Sequence, residues 1–579
     1  MRILFLTRSF NSLAQRLYLE LTGLGHEVSV EFDIADAVTI EAVALFRPAL
    51  IVAPFLKRAI PEAVWRNHVC LVVHPGVVGD RGPSALDWAI TDGVADWGVT
   101  VLQAEAEMDA GPVWATRGFA MREASKSSLY RREVTDAAVS AVRAAVIRFA
   151  ELGPDGAGVG HGGSPGRWRA LMRQEQRRID WARDDTRTVL RKIRAADGSP
   201  GVSDEMFGVP CQLFDAHAHT LVAPRAPGAI IGRRHDALLR ATVDAAVWIG
   251  HVRRSDAPDS VKLPTALAFA EEVAAATDLT DWMLPLDAAD NGETWRDIRY
   301  ALEDGVAYLH FDFYNGAMST SQCGRLVEAL RFALAQPTRV LVLLGGAEFW
   351  SNGIHLNVIE AAQSPADESW RNINAMNDLT LALIEATGTM VIAAMQGNAG
   401  AGGVFMALAA DQVWARHGVV LNPHYKNMGN LYGSEYWTYL LPRRLKSGSV
   451  NDVMQHRLPM SAAMAARHGL VDAVFGEDHA AFTEQVRARA AALAGSPALP
   501  GLLLDKQRQR QADEAREALA AYRARELDHM RRNFYGFDPS YHIARSNFVR
   551  RVAPSWTPRH LALHRQGGPT AGRRRTAES

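Results

Sequence analysis

Two separate parts of this 579-residue chain alternate short apolar runs with amphipathic stretches of helical period, and few folds accept that pattern. A strand that is largely apolar is buried on both faces, so such runs belong to a parallel sheet covered by helices. RILFLT, HEVSVEF, ALIVAP and VCLVVH read as strands near the N-terminus, with SLAQRLYLELTGLG, TIEAVALFR and VTDAAVSAVRAAVIRFAEL as helices. From about Leu284 the pattern returns, with VAYLHFDF, RVLVLL and MVIAAM as strands. Between them, from about Arg169 to Arg254, short strands broken by Pro-Gly turns suggest a small barrel. The chain is too long for one core, and the expectation is an α/β multidomain protein.

Glycine-rich LGPDGAGVGHGGSPGR and, later, SDAPDSVKLP read as linkers. They predict domains at 1–168, 169–258 and 259–500, followed by a helical region over 501–579. The charged run KQRQRQADEAREALAAYRARELDHMRRNF reads as a solvated helix face, and GGPTAGRRRTAES as a disordered tail.

Lys and Arg number 63 against 64 Asp and Glu, so no broad positive field exists to hold a nucleic acid, and no such partner is expected. Cys70, Cys211 and Cys323 are far apart and form no CxxC, which argues against a disulfide framework or a zinc site. The apolar run in MRILFLTRSF is too short for a signal peptide, and no stretch approaches the roughly 18 apolar residues of a membrane span. A soluble cytoplasmic protein is expected.

The first chemical constellation is VVHPGVVGDRGPSALDWAITDGVADWGVTVLQAEAEMDAGPVW, from Val72. It sets His74 at the end of a buried strand, where ligands of open α/β sheets bind, and Asp109 in a turn closed by Gly111. A facing His and Asp can pass a proton during acyl transfer, or His74 simply caps its strand. In the barrel segment, FDAHAHT places His217 and His219 on one face of a strand as a metal pair would need, but no third ligand is evident and no metal is expected.

A second constellation, AAMQGNAGAGGVFMALAADQVWA, follows a strand and opens a helix at about Gly402. Its glycine spacing does not fit a dinucleotide loop, and an oxyanion donor is the better reading. Upstream, LLGGAEFWSNGIHLN adds a strand and a Ser-Asn-Gly loop. Downstream, NPHYKNMGNLYGSEYW carries Tyr425 and Glu435 among glycines, ahead of LLPRRLK, which reads as a basic helix start.

These motifs resemble two known families. HPG, RGPSALDWAI, WGVTV and MDAGPV resemble the folate-dependent formyltransferases, and IDWARDDTRTVLRKIRAADGSPGV and APGAIIG are similar to that family's C-terminal OB-like domain. The resemblance implies a Rossmann-like domain that uses N10-formyltetrahydrofolate, with His74 and Asp109 catalytic and Arg81 supporting the loop. Val72 stands where that family has its catalytic Asn. LLGGAEFWSNGIHLN and AAMQGNAGAGGVFM resemble the crotonase (enoyl-CoA hydratase/isomerase) superfamily, as does FYNGAMSTSQCGRLVEAL, which carries Ala317. This second resemblance implies coenzyme A as ligand, Ala317 in its early CoA-contacting loop, and the backbone N–H groups of Ile354 and Gly402 as donors to a thioester oxygen. His355 stands where that family usually has Asp. Phe405 and Tyr425 stand where hydratases keep two glutamates, which makes hydration an unexpected reaction. Glu435 is then either an additional acid or base, or a charge favourable to the next helix.

The joined halves resemble the family of hydrogenase maturation factors that couple a formyltransferase-like half to a crotonase-like half. That resemblance implies transfer of formyl from the folate to CoA, then splitting of formyl-CoA into CO and CoA, with CO destined for the iron of a nickel–iron hydrogenase through other maturation proteins. Tyr425 and Glu435 would be the acid/base pair, either one being the base. Arg131 and Arg132, and Arg550 and Arg551, are candidates for the CoA phosphates, or are simply solvated. Two alternatives stay open: a formyltransferase or hydrolase acting on another acceptor with an inactive crotonase half, and a non-enzymatic scaffold.

Overall fold

The computed structural model describes residues 1–158, 166–220 and 225–566, and they form two compact units. Part of the glycine-rich passage expected as a linker, and all of the tail GGPTAGRRRTAES, lie outside the described residues.

Met1–Glu123, Leu129–Met172 and the segment from Ala553 make the first unit. Its strands are β1 (Arg2–Thr7), β2 (Glu27–Phe32), β3 (Leu50–Phe55), β4 (Cys70–His74), β5 (Asp96–Gln103) and β6 (Val113–Ala120), in sheet order β2-β1-β3-β4-β5-β6. β2, β1, β3 and β4 run parallel, and these are the four apolar runs read from the sequence. β5 runs antiparallel to both β4 and β6, so the sheet is mixed rather than wholly parallel. The physical reason is the connection: after β4 the chain makes a short helix, Ala85–Asp92, reverses at the left-handed Gly93, and re-enters beside β4 with His74 opposite Thr100. Asn11 caps the helix Ser12–Gly23 by accepting from Ala14 N–H. The segment from Ala553 covers the open edge of β2, where Val30 N–H donates to Leu561 O and Phe32 N–H to the Thr557 hydroxyl.

The second unit contains three sheets. β7 (Val202–Met206), β8 (Val209–His219), β9 (Ile230–Arg234), β10 (Ala237–Ala241), β11 (Ala246–Arg254), β12 (Leu263–Pro264) and β13 (Thr280–Asp281) are the short strands expected after Arg169. They pair β13-β9-β10-β11-β8-β7, with β12 on β11, antiparallel except for β13 on β9. The helix Thr186–Ala196 buries Val189, Leu190 and Ile193 against this sheet.

The next sheet contains β14 (Ile298–Glu303), β15 (Val306–Phe311), β16 (Val340–Leu344), β18 (Met390–Met395), β20 (Gln412–Arg416) and β23 (Ala473–Phe475), in that order and parallel from β15 onward. A small third sheet holds β17 (Phe349–Ser351), β19 (Asn398–Gly400), β21 (Val420–Asn422) and β22 (Met460–Ser461). Each of β16, β18 and β20 leads within a few residues into a strand of the small sheet, so the motif loops gather beyond the carboxyl ends of a parallel sheet. Helices Thr320–Ala335 and Pro365–Ile384 pack one face, and His479–Ala494 packs the other.

Two sequence expectations change here. LLPRRLK does not start a helix: Trp437–Arg444 ends in those arginines, which suit the negative end of its dipole. The charged run after Gly501 is not simply a solvated face, because the helix Leu519–Tyr535 buries Leu519, Met530 and Phe534, and Glu526 among them.

Candidate active sites in the two units

In the first unit, His74 is 5% exposed at the end of β4. Its Nε2 lies 3.0 Å from Asp80 Oδ2, and its Nδ1 is 3.6 Å from Asp109 Oδ2. The structure therefore brings His74 and Asp109 together, but the shorter contact is to Asp80, a residue the sequence reading missed. HPGVVGD turns tightly enough to return Asp80 to the ring, and a methyl group on Gly76 would collide with His74. Asp109 has left-handed backbone, φ 56, and its Oδ2 accepts from Gly82 N–H at 3.1 Å. Arg81 donates to Glu107 Oε1 at 2.6 Å and pairs through its backbone with Arg167 and Arg169. A cleft of about 360 Å³ opens beside these groups, lined by Asp80, Arg81, Thr100, Asp109 and Trp168. Val72 sits in β4 between Ala53 and Leu102 and offers no polar side chain. Arg131 lies on the π-helical turn Tyr130–Val134.

In the second unit, three loops converge. Met318 N–H donates to Gly353 O, which pairs Met318 with Ile354 and leaves Ala317 one residue before that bridge. Gly353 faces the Gly402 backbone closely enough that a methyl group on it would stand 3.4 Å from Gly402 N. Ala401, with φ 46, turns the chain so that Gly402 begins the helix Gly402–Leu408. A methyl group on Gly402 would strike Glu435 Oε1, so only glycine leaves room for that carboxyl group.

Tyr425 and Glu435 are 5% and 1% exposed, and the Tyr425 hydroxyl donates to Glu435 Oε2 at 2.6 Å. The Tyr425 ring stacks on Phe405 with centroids 5.5 Å apart, and Gly433 leaves it room. Burial, with the charge of Glu526 adding, pushes the Glu435 carboxyl up to about 8, while the Tyr425 hydrogen bond opposes the shift. Burial and then the Glu435 charge hold the Tyr425 hydroxyl well above its ordinary range. A hydrogen-bonded hydroxyl and carboxyl, withdrawn from solvent and packed against Gly402, can move a proton between them without a water molecule.

His355 is buried and caps the helix Leu356–Ala361 by accepting from Val358 N–H; burial lowers it to about 3, so it is neutral. Arg551 donates to Gly198 O at 2.9 Å, and Arg550 is tied to Glu360 and Asp259. Arg131 belongs to the first unit and Arg551 to the second. His217 binds Asp215 at 2.8 Å and stacks on Trp295, whereas His219 meets Trp248 and Trp282 edge-on, so the two imidazoles have different partners. Among the described residues no helix is long and apolar enough to cross a membrane.

Glu526 and Asn377 also reach this site and were not singled out in the sequence. The available signal for Glu526 was its place in the spacing Tyr522, Glu526, Met530, Phe534, where a charge interrupts an apolar stripe.

Family models match three stretches: formyl transferase over 31–146, formyl transferase C-terminal domain over 171–259, and enoyl-CoA hydratase/isomerase over 302–557. The chain is 54% identical over 567 residues to the hydrogenase maturation factor HoxX of Bradyrhizobium diazoefficiens, covering 98% of this chain and 97% of that protein. The crystal structure of HypX from Aquifex aeolicus in complex with tetrahydrofolic acid matches with a TM-score of 0.92 and 46% identity, covering 98% of this chain and 99% of that one. A methionyl-tRNA formyltransferase of Granulibacter bethesdensis is 27% identical over 190 residues, 33% of this chain and 57% of that protein. With both halves and nearly the whole length matched, the chain belongs to the HypX/HoxX family of hydrogenase maturation factors.

Proposed function

We propose that this protein makes carbon monoxide for the iron of a nickel–iron hydrogenase in the cytoplasm. Formyl passes from N10-formyltetrahydrofolate to the CoA thiol in the first unit, and formyl-CoA is split into CO and CoA in the second. The observation that carries this reading is the buried Tyr425–Glu435 hydrogen bond, 2.6 Å long, beside Gly402, where a hydratase would keep glutamates to direct water.

In the first step His74, held at Nε2 by Asp80, takes the thiol proton on Nδ1, and Asp109 at 3.6 Å stabilises the imidazolium. The thiolate adds to the formyl carbon, the C–N bond to the folate breaks, and His74 returns the proton to the departing nitrogen. General acid–base assistance of this kind contributes about 10²–10⁴-fold. Val72 offers no amide to the formyl oxygen, and thiolate is a softer nucleophile that depends less on such help.

In the second step the N–H groups of Ile354 and Gly402 hold the formyl oxygen; one donor in such a site is worth about 2.7–4 kcal/mol. Glu435, as the carboxylate, takes the formyl proton while the C–S bond breaks. Tyr425 gives its hydroxyl proton to the sulfur, and Glu435 passes its new proton to Tyr425 across their hydrogen bond. CO and CoA leave and the pair is restored. Phe405 keeps water from the thioester. Ala317 lies in the loop that contacts CoA in the second unit, where Arg551 is the candidate for its phosphates, and Arg131 is the candidate for them in the first unit; partner maturation proteins receive the CO.

The test is pure protein with formyl-folate and CoA, followed for formyl-CoA, formate and CO. Formyl-CoA that decays to CO is expected. Formate without CO would overturn the reading in favour of a hydrolase.

A further inference from the structure

Glu526 lies on the helix Leu519–Tyr535 with 0% exposure, between apolar residues of the same stripe. Its Oε2 accepts from Tyr436 N–H at 2.9 Å, and its Oε1 from the N–H and hydroxyl of Thr438 at 2.8 and 2.6 Å. The Ser434 hydroxyl is 3.3 Å from Oε2. All four donors are backbone or hydroxyl groups, and none is a cation. They bracket Glu435, which with Tyr436 forms two consecutive left-handed residues, φ 60 and 58. Side chains rarely adopt that backbone, and two in succession persist only where the surroundings hold them. On the other side Asn377 Oδ1, from the helix Pro365–Ile384, accepts Glu435 N–H at 2.7 Å and the Ser434 hydroxyl at 3.0 Å. Clamped in this way, Glu435 points at Gly402 and at the Tyr425 hydroxyl.

We propose that Glu526 is a positioning residue for the Tyr425–Glu435 pair: it fixes the left-handed turn that aims Glu435, and its buried negative charge holds the shared proton on that pair. The inference rests on Glu435 acting as described under the proposed function. Burial and the neighbouring carboxyl both work in this direction, since two close carboxyl groups resist ionising together. The other titratable or charged groups around the pair and Glu526 include Cys323 from the helix Thr320–Ala335, Asp378 of the helix Pro365–Ile384, which pairs with Arg523, Arg525 and His529 of the helix Leu519–Tyr535, and Tyr432 and Tyr436 of the loop itself. The helix Gly402–Leu408 contributes none.

Glu526→Gln keeps the size and removes the charge; Glu526→Asp keeps the charge and shortens the reach. CO release from synthetic formyl-CoA by the full-length protein is measured against pH, with kcat and KM separated. For Glu526→Gln the pH midpoint should fall by about one unit and kcat about tenfold, with KM for formyl-CoA within about twofold. Glu526→Asp should keep the parent midpoint with a kcat lowered about fivefold. If Glu526→Gln does not fold, Glu526→Asp decides: a lowered kcat at unchanged KM supports the assignment, and a parent-like kcat overturns it. Loss of thermal stability in Glu526→Gln without movement of the midpoint means a merely structural role and also overturns it. The infrared band of the protonated Glu435 carboxyl, identified by its loss in Glu435→Gln, reads the same coupling without turnover. A parent protein that makes no CO therefore defeats the decarbonylase reading, while the infrared titration still decides Glu526: a downward shift in Glu526→Gln supports the coupling, and no shift overturns it.

Discussion

Tyr425 gives its hydroxyl hydrogen to Glu435 Oε2 across 2.6 Å, with both side chains withdrawn from solvent and the carboxyl group packed against Gly402. Position, dryness and a ready proton path coincide in this one contact. Removing either partner should stop the second reaction and leave the first. With formyl-CoA as substrate, Glu435→Gln and Tyr425→Phe are expected to lose about 10²–10⁴-fold in CO release. With formyl-folate and CoA, both variants should instead accumulate formyl-CoA, which chromatography of the thioesters would show.

The pH dependence has a defined sign. Glu435 must ionise to take the formyl proton, and burial raises its carboxyl to about 8, so CO release should climb as pH rises through about 8. The same shift acts on stability in the opposite sense. A carboxyl raised from the ordinary 4.5 favours the folded state while protonated, so its contribution is fully present below that ordinary value and is lost as pH rises through about 8. Thermal unfolding from about pH 5 to 9 should show the decline, and Glu435→Gln should flatten part of it.

Asp80 extends the account of the first site. If it holds His74 at Nε2, then Asp80→Asn should reduce formyl transfer about 10²-fold while CO release from supplied formyl-CoA is unchanged. His74→Ala should show the same separation with a larger loss. Equal impairment of both reactions would instead indicate general damage to the fold.

Gly402 tests the geometry of the second site directly. A methyl group there collides with Glu435 Oε1, so Gly402→Ala must displace either the carboxyl group or the start of the helix Gly402–Leu408. A fall in kcat of about 10²-fold or more is expected, with Glu435 moved in the variant's structure.

The sheets were legible because buried parallel strands leave unbroken apolar runs: RILFLT is β1 residue for residue, and MVIAAM is β18. The convergence of Ala317, Ile354 and Gly402 was accessible only through motif resemblance, since their loops are separated by dozens of residues and meet through the small sheet of β17, β19 and β21. The reversed β5 is not legible, because a short reversal at Gly93 sets its direction and periodicity carries no direction. Asp80 was passed over because a carboxylate in a glycine-rich turn has an ordinary local explanation; only the folded turn returns it to His74. Glu526 was assigned to a solvated face because its neighbours in sequence are charged, while its four donors come from residues about ninety positions upstream.

The most direct test of the central claim follows the carbon atom. Full-length protein is given folate carrying a ¹³C-labelled formyl group together with CoA, in the presence of deoxyhaemoglobin, and the haem-bound CO band is read in the infrared. The account predicts a ¹³CO band that requires CoA and disappears in Glu435→Gln. Labelled formate with no ¹³CO band, from protein that binds both substrates, would contradict it.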